Sequence, residues 1–218
     1  MPPTLSYPPM RLPYIIEHFM AERRAGMRTA RDGLEQRLIT LIRSTDWLMA
    51  TLRLARSCAL PDWYIGAGAI RDTVWDKLHG YATAVSCHDI DLVYFSDQRT
   101  EHDDDRGLER RLHALTPGLS WDVTNQARVH LWYEKHHGIP LRKFASSEAG
   151  IATWPETATA IGVRLTDEDD LLIVAPFGLN DLFNLRLRWN AELVTYAMFL
   201  ARVEEKKFLT RWPKLTLV

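Results

Sequence analysis

The chain has 218 residues, of which 46% are hydrophobic and 25% charged, and its formal net charge is -1. This composition excludes a disordered or fibrous chain, and the even charge balance argues against nucleic-acid binding through a strong overall positive charge. There are two cysteines, no secretory signal and no apolar run of the roughly 18 residues that a membrane span needs, so we expect a cytoplasmic protein without membrane contact.

The sequence predicts that the N-terminal part of the chain is a proline-rich segment followed by helices. Residues 1–13 contain five prolines, which predicts an extended segment, with a short helix completing residues 1–33. From residue 34 onward, apolar residues recur at helical spacing and predict two helices before residue 60. These apolar residues are Leu34, Leu38, Leu41, Ile42, Leu48, Leu52 and Ala55. Residues 34–218 are therefore expected to form the folded domain, with a helical extension at the C-terminal end.

Strands and helices alternate after residue 60. Trp63-Tyr64-Ile65 predicts a strand, the following glycines a tight turn, and the segment from about Ala69 to Leu78 a helix. Further strands are predicted at 88–95, 120–124, 160–165 and 171–174, with helices between them. This alternation predicts an α/β or α+β domain with flanking helices.

The turn between the first strand and its helix has the composition of a phosphate-binding turn. Gly66 and Gly68 permit backbone conformations and close approaches that a Cβ would obstruct. A turn of this kind presents backbone N–H groups and the positive end of the helix dipole, and Arg71 would add a bidentate phosphate contact. The same residues also fit a plain strand-to-helix turn, because the third glycine of a Rossmann turn and the Gly-Lys-Ser/Thr of a Walker loop are missing.

Three aspartates lie on predicted strands. Asp89 and Asp91 are two residues apart, so both point to one face, and their oxygens suit a magnesium ion that also binds substrate phosphates. Asp122 lies between Trp121 and Val123 and points away from both. A neighbouring strand would bring it beside the pair and supply the carboxylates that two metal ions need. The alternative is that these acids are ordinary residues facing solvent.

The order of these features resembles the polymerase-beta nucleotidyltransferase superfamily. The segment Gly66–Asp72, followed by Asp89-Ile90-Asp91-Leu92, resembles the glycine turn and Asp-x-Asp strand of that group, and Gly68–Asp72 is similar to the turn of tRNA CCA-adding enzymes. From Leu60 to Pro213 the chain resembles a bacterial nucleotidyltransferase-like family. Further shared motifs are Val74-Trp75-Asp76, Asn125-Gln126-Ala127-Arg128, Trp154-Pro155-Glu156-Thr157-Ala158-Thr159-Ala160, Gly178-Leu179 and Trp212-Pro213. The resemblance implies a mixed sheet with flanking helices and a nucleotide in the cleft.

Carried over by position, the resemblance assigns roles to the residues described above. It implies that Asp89 and Asp91 bind the metal, with Asp122 as the third carboxylate. It implies that Gly68 and Ala69 form the turn that contacts the triphosphate, with Gly66 and Arg71 beside them. Two features depart from the superfamily: Ala69 stands where Gly or Ser is usual, and the 21-residue step from Gly68 to Asp89 predicts an extra loop over Tyr81–Cys87.

The leading hypothesis is a nucleotidyltransferase that uses Mg²⁺ or Mn²⁺ and a nucleoside triphosphate. The acceptor would be a hydroxyl group on RNA, a protein or a small molecule. The sequence shows no clear RNA-binding tail, which disfavours a true CCA-adding enzyme. One alternative is a catalytically inactive nucleotide-binding or regulatory module on the same fold, which Ala69 and the long connector favour. Another is a structural interaction protein whose acids are merely solvated. The oligomeric state is left open.

Overall fold

The computed structural model describes residues 33–81, 89–98 and 102–218. The predicted proline-rich segment, the domain boundary at residue 33/34 and all of the predicted extra loop except Tyr81 concern residues outside or at the edge of these ranges. These predictions therefore stay predictions.

The two helices predicted from apolar spacing open the described fold. They are α1 (33–43) and α2 (Asp46–Ser57). Leu38, Ile42, Leu48, Leu52 and Ala55 are all buried, as the helical spacing predicts.

A five-stranded mixed sheet follows. Its strands are β1 (Tyr64–Gly66), β2 (Asp89–Tyr94), β3 (Ser120–Asn125), β4 (Gly162–Leu165) and β5 (Leu171–Val174). The strand order is β3-β2-β1-β4-β5. Strands β2 and β3 are parallel, and the other neighbouring pairs are antiparallel. This arrangement confirms the mixed sheet with flanking helices.

Helices and a small second sheet surround these strands. The helices are α3 (Gly68–His79), α4 (His102–Leu115), a 3₁₀ turn (Gln126–Arg128), α5 (Val129–His137), α6 (Ser147–Ile151), α7 (Asn180–Phe183), α8 (Tyr196–Glu205) and α9 (Phe208–Arg211). The second sheet pairs β6 (Arg186–Leu187) with β7 (Thr216–Leu217) in parallel. Sequence periodicity missed α7, α9, β6 and β7 because elements of two to four residues are too short to show a period. Over the described ranges, no helix combines the length and the apolar character needed to cross a bilayer.

Aromatic packing joins the C-terminal segment to α3. The fully buried ring of Trp75 makes edge contacts with Phe208 and Trp212, with ring centroids 6.0 and 5.1 Å apart. The Trp212 indole N–H donates to the buried carboxylate of Asp76 over 2.7 Å. These contacts hold the chain after α8 against the helix that follows the glycine turn.

Gly66, at the end of β1, is the point of closest packing near that turn. A Cβ added there would lie 2.5 Å from Cη2 of Trp154 and 2.6 Å from the carbonyl oxygen of Ile161. The close packing around this position therefore leaves no room for any side chain, and only glycine fits.

We expect Gly66→Ala to lower the free energy of unfolding by about 1–3 kcal/mol, because the added methyl group overpacks the site. Urea denaturation measures this change. Gly118→Ala is the matched control, since a Cβ there would meet nothing within 4 Å. Equal stability of the two variants would contradict the packing described at Gly66.

Candidate functional site

The predicted alternation of β2 and β3 is observed. Ile90 and Leu92 are fully buried, whereas Asp89 is exposed and Asp91 half-buried on the opposite face. On β3, Asp122 is exposed between two buried neighbours. The apolar residues thus anchor both strands in the core and leave the carboxylates on the other face.

The register of the parallel pair brings two of these carboxylates together. Asp91 is paired with Asp122 across β2 and β3, and with Gly66 across β1 and β2. Neighbouring strands lie about 4.8 Å apart, so Asp91 and Asp122 are adjacent on one face. The pKa of Asp91 is raised to about 6, chiefly by burial and then by the Asp122 carboxylate, with a smaller contribution from Asp89 and opposing effects of Arg71 and Arg202.

These acids form a concentration of negative charge with the chemistry of a divalent-cation site. Mg²⁺ and Mn²⁺ prefer carboxylate oxygens, and Mg²⁺ commonly binds through one or two carboxylates together with substrate phosphates. The paired Asp91 and Asp122, with Asp89 two residues away on the same face, fit this mode of binding. Across residues 33–81, 89–98 and 102–218, no three His, Cys, Asp or Glu side chains form a ready-made metal-binding group.

A cleft of about 650 Å³ opens over the carboxylates. We call it the basic cleft. Its lining comprises Ala67, Gly68, Arg71, Asp72, Asp89, Asp91, Glu109, Ser120, Trp121, Asp122, Arg202, Lys206 and Arg211. The name refers to the four basic side chains of this lining, which lie among five acidic ones. The structure thus brings Gly68, Arg71 and the three aspartates to one cleft, as the sequence predicts. Gly66 and Ala69 are buried behind it, Gly66 against Trp154 and Ala69 with no exposed surface.

The unusual backbone conformation of the turn lies at Ala67, between the two glycines. Ala67 has φ 48° and ψ -122°, a conformation that L side chains rarely adopt. Gly66 and Gly68, which permit unusual backbone conformations, both have a negative φ or extended backbone and not a left-handed one. Ala67 precedes α3, and no side chain of the described residues caps that helix. The strained turn therefore leads directly into a helix N-terminus at the basic cleft.

Arg71 is held by protein groups. Its guanidinium donates to the Asp72 carboxylate over 2.7 and 2.9 Å and to the Thr159 hydroxyl over 3.0 Å. It also lies 4.5 Å above the ring of Phe208. These contacts give Arg71 a place in the packing of α3 as well as in the cleft wall, and its contact with phosphate stays a prediction.

Sequence reasoning missed three cations of the C-terminal extension. Arg202 pairs with the buried carboxylate of Glu156 over 2.8 Å. Arg211 lies 3.4 Å from the Asp72 carboxylate, and Lys206 is exposed and makes no ion pair within the described part of the chain. Arg202 lies in α8 and Lys206 is the helical residue that caps its C-terminus. The four-residue spacing between them places both on one side of the helix. That spacing was the available signal, but the sequence does not show which way the face points.

A second, smaller cavity of about 200 Å³ adjoins the same carboxylates. We call it the aromatic pocket, defined by Asp91, Asp122, Trp132, Tyr133, Phe144 and Trp154. The carboxylate pair therefore borders two cavities of different chemistry.

Comparison with known proteins agrees with this arrangement. A family model described as Nucleotidyltransferase matches residues 53–217. An NMR structure described as revealing a CCA-adding enzyme head domain is 25% identical, with a TM-score of 0.72, over 84% of this chain and 95% of that one. The Thermotoga maritima CCA-adding enzyme complexed with tRNA is 16% identical, with a TM-score of 0.52, over 82% of this chain and 42% of that one.

The chain thus spans less than half of the Thermotoga maritima enzyme, and that likeness concerns the fold alone. No curated protein matches the sequence. The family match covers most of the chain, and the glycine turn and the strand aspartates border one cleft in a head-domain-like fold. The chain belongs to the nucleotidyltransferase family, with the polymerase-beta-type fold.

Proposed function

We propose that the protein is a metal-dependent nucleotidyltransferase that moves a nucleoside monophosphate from a nucleoside triphosphate to a hydroxyl acceptor and releases pyrophosphate. The observation that carries this proposal is the pairing of Asp91 with Asp122 in the lining of the basic cleft, which the cations of the C-terminal extension also line. The acids suit Mg²⁺ or Mn²⁺, and the cations suit the triphosphate that accompanies the metal.

Each acid has a distinct role in this proposal. Asp89 and Asp91 would hold the divalent cation that accompanies the triphosphate, and Asp122 would help to hold a second one. Asp122 also accepts the proton of the acceptor hydroxyl. The hydroxyl oxygen forms a bond to the α-phosphorus while the bond from that phosphorus to the bridging oxygen breaks. A divalent cation held by these residues would neutralise the charge that develops on the attacking and leaving oxygens.

Two parts of the basic cleft are suited to hold the phosphates. The backbone of Ala67 and Gly68 lies at the N-terminus of α3, where N–H groups and the helix dipole attract anions. From the C-terminal extension, Lys206 and Arg211 contribute exposed cationic side chains to the same lining. Gly66 supports the turn from behind, and the predicted phosphate contacts of Ala69 would come from its backbone N–H.

A catalytically inactive nucleotide-binding module is the second candidate. The hydrogen bonds of Arg71 to Asp72 and Thr159 favour it, as does the buried methyl group of Ala69, which supplies no hydroxyl to a phosphate. Calorimetry with Mg²⁺ and each of the four triphosphates, beside a pyrophosphate-release assay, separates the two candidates. Binding without release under any acceptor condition favours the module.

We expect the double variant Asp89→Asn/Asp91→Asn to lose pyrophosphate release by at least about 100-fold, because charge stabilisation in the transition state is removed. Calorimetry should also show weaker binding of the triphosphate with Mg²⁺. Asp170→Asn changes an exposed carboxylate beside β5 and should retain full activity. Full activity of the double variant would dispose of the proposed mechanism.

Asp91→Asn should raise the metal-free stability at pH 8 by about 1–3 kcal/mol, because an ionised Asp91 is disfavoured by burial and neighbouring carboxylates. The folded-state pKa of about 6 lies above the ordinary 3.8, so the wild-type protein loses stability as the pH rises from about 4 through 6. The advantage of the variant should therefore be full above pH 6 and disappear near pH 4. Urea denaturation in EDTA measures the difference, and an advantage that grows toward low pH would contradict it.

The double variant Lys206→Gln/Arg211→Gln should raise KM for the triphosphate by about 10–100-fold, because charge-assisted hydrogen bonds to phosphate are lost. Steady-state pyrophosphate release gives KM. Arg186→Gln/Lys207→Gln removes two exposed cations outside the cleft lining and is the matched control. An unchanged KM in the first variant would remove these side chains from the phosphate site.

A further inference from the structure

The face of β2 and β3 that carries the acids borders different cavities at its two ends. Along β2 this face presents Asp89, Asp91 and Val93, and along β3 it presents Ser120, Asp122 and Thr124 in the same register. The basic cleft touches the first two positions of each strand, and the aromatic pocket touches the last two. Asp91 and Asp122 therefore lie between the two cavities, with the basic cleft toward the strand beginnings and the aromatic pocket toward the strand ends.

The aromatic pocket has a different chemistry from the cleft. Rings of Trp132, Tyr133, Phe144 and Trp154 line it, and no Lys or Arg of the described residues does. Its volume of about 200 Å³ is suited to one ring-sized group. The carboxylates at one end repel an anion, whereas the rings attract neutral or cationic planar groups.

The geometry of nucleotidyl transfer relates the two cavities. In an in-line displacement, the attacking oxygen approaches the phosphorus from the side opposite the leaving group. With pyrophosphate departing into the basic cleft, the attacking oxygen arrives from the end of the aromatic pocket. The nucleoside is attached to the same phosphorus by a bond roughly perpendicular to the line that joins the attacking and leaving oxygens. It therefore does not extend along that line, and the aromatic pocket lies on the side of the phosphorus from which the acceptor arrives.

Asp122 is oriented at the border between the cavities. The hydroxyl of Thr124, which lines the aromatic pocket, donates to Oδ1 of Asp122 over 3.0 Å. This bond fixes the carboxylate that the proposed mechanism uses as proton acceptor. A hydroxyl group entering from the pocket therefore meets an oriented base before it reaches the α-phosphorus.

We propose that the aromatic pocket binds the acceptor, and that this acceptor is a small neutral or cationic molecule with a hydroxyl group on or beside an aromatic or apolar ring. This inference rests on the proposed function and deepens it. The acceptor oxygen bonds to the α-phosphorus, its proton passes to Asp122, and pyrophosphate leaves through the basic cleft.

Saturation-transfer NMR on the full chain, with Mg²⁺ and α,β-methylene-ATP, tests the pocket with three probes. Phenyl β-D-glucopyranoside is neutral, tyramine is cationic and phenyl phosphate is the anionic match. We expect saturation transfer to the first two probes, and binding of phenyl phosphate at least tenfold weaker. Phe144→Ala and Trp132→Ala should each raise the Kd of the first two probes at least tenfold and change the nucleotide Kd by less than twofold.

Leu131→Ala is the matched control, because Leu131 is the exposed neighbour of Trp132 on α5 and does not line the pocket. It should leave both affinities unchanged, and circular dichroism should show that all three variants fold.

Several results would overturn the inference while leaving the proposed function intact. These are the absence of binding of both favoured probes, phenyl phosphate binding as well as they do, and competition by an RNA oligonucleotide. Altered discrimination among the four triphosphates in Phe144→Ala would assign the pocket to the nucleobase instead. If the wild-type protein fails to bind a nucleotide, the proposed function is overturned, and with it the acceptor role of the pocket.

Discussion

The repulsion between Asp91 and Asp122 is the constraint around which the site is organised. Burial raises the pKa of Asp91, and the Asp122 carboxylate at the same register of the parallel strand pair adds to this shift. The other faces of the same strands carry buried apolar residues, among them Ile90 and Val123. A slip of one residue would bury the acids and expose these side chains, so the core imposes the register that brings the carboxylates together.

The cations that oppose these acids come from the other end of the chain. Aromatic contacts of Trp75 and the hydrogen bond from Trp212 to Asp76 hold the C-terminal segment against α3. Arg211 is therefore placed beside the cleft by the neighbouring anchor residue Trp212. Arg202 is fixed by its pair with the buried Glu156. A cleft that contains both these acids and these cations therefore depends on the packing of the C-terminal segment against α3.

Strain and close packing meet at the turn between β1 and α3. Gly66 leaves room for Trp154, which also lines the aromatic pocket, so the turn and the pocket share a side chain. Ala67 adopts a rare positive-φ conformation immediately before α3. Strained residues of this kind persist where the surrounding structure holds them, and they concentrate at functional sites. Basic cleft, turn and aromatic pocket are thus parts of one packed unit.

The local features of the site were predictable from the sequence because they depend on neighbouring residues. Alternation places Asp89 and Asp91 on one face, and the glycine-containing turn predicts the junction of β1 with α3. The motifs shared with nucleotidyltransferases also predicted the fold and the family, which the comparisons confirm.

Only the tertiary structure decided which distant residues meet. The sequence named Asp122 as a partner of the Asp89/Asp91 pair, but its register opposite Asp91 appears only in the sheet. The hydrogen bond of Arg71 to Thr159 and the position of Lys206 in the cleft lining likewise join segments far apart in the chain. Periodicity shows that a strand or helix has two faces. Which partner each face meets is decided by long-range packing of the core, and no local pattern in the sequence contains that information.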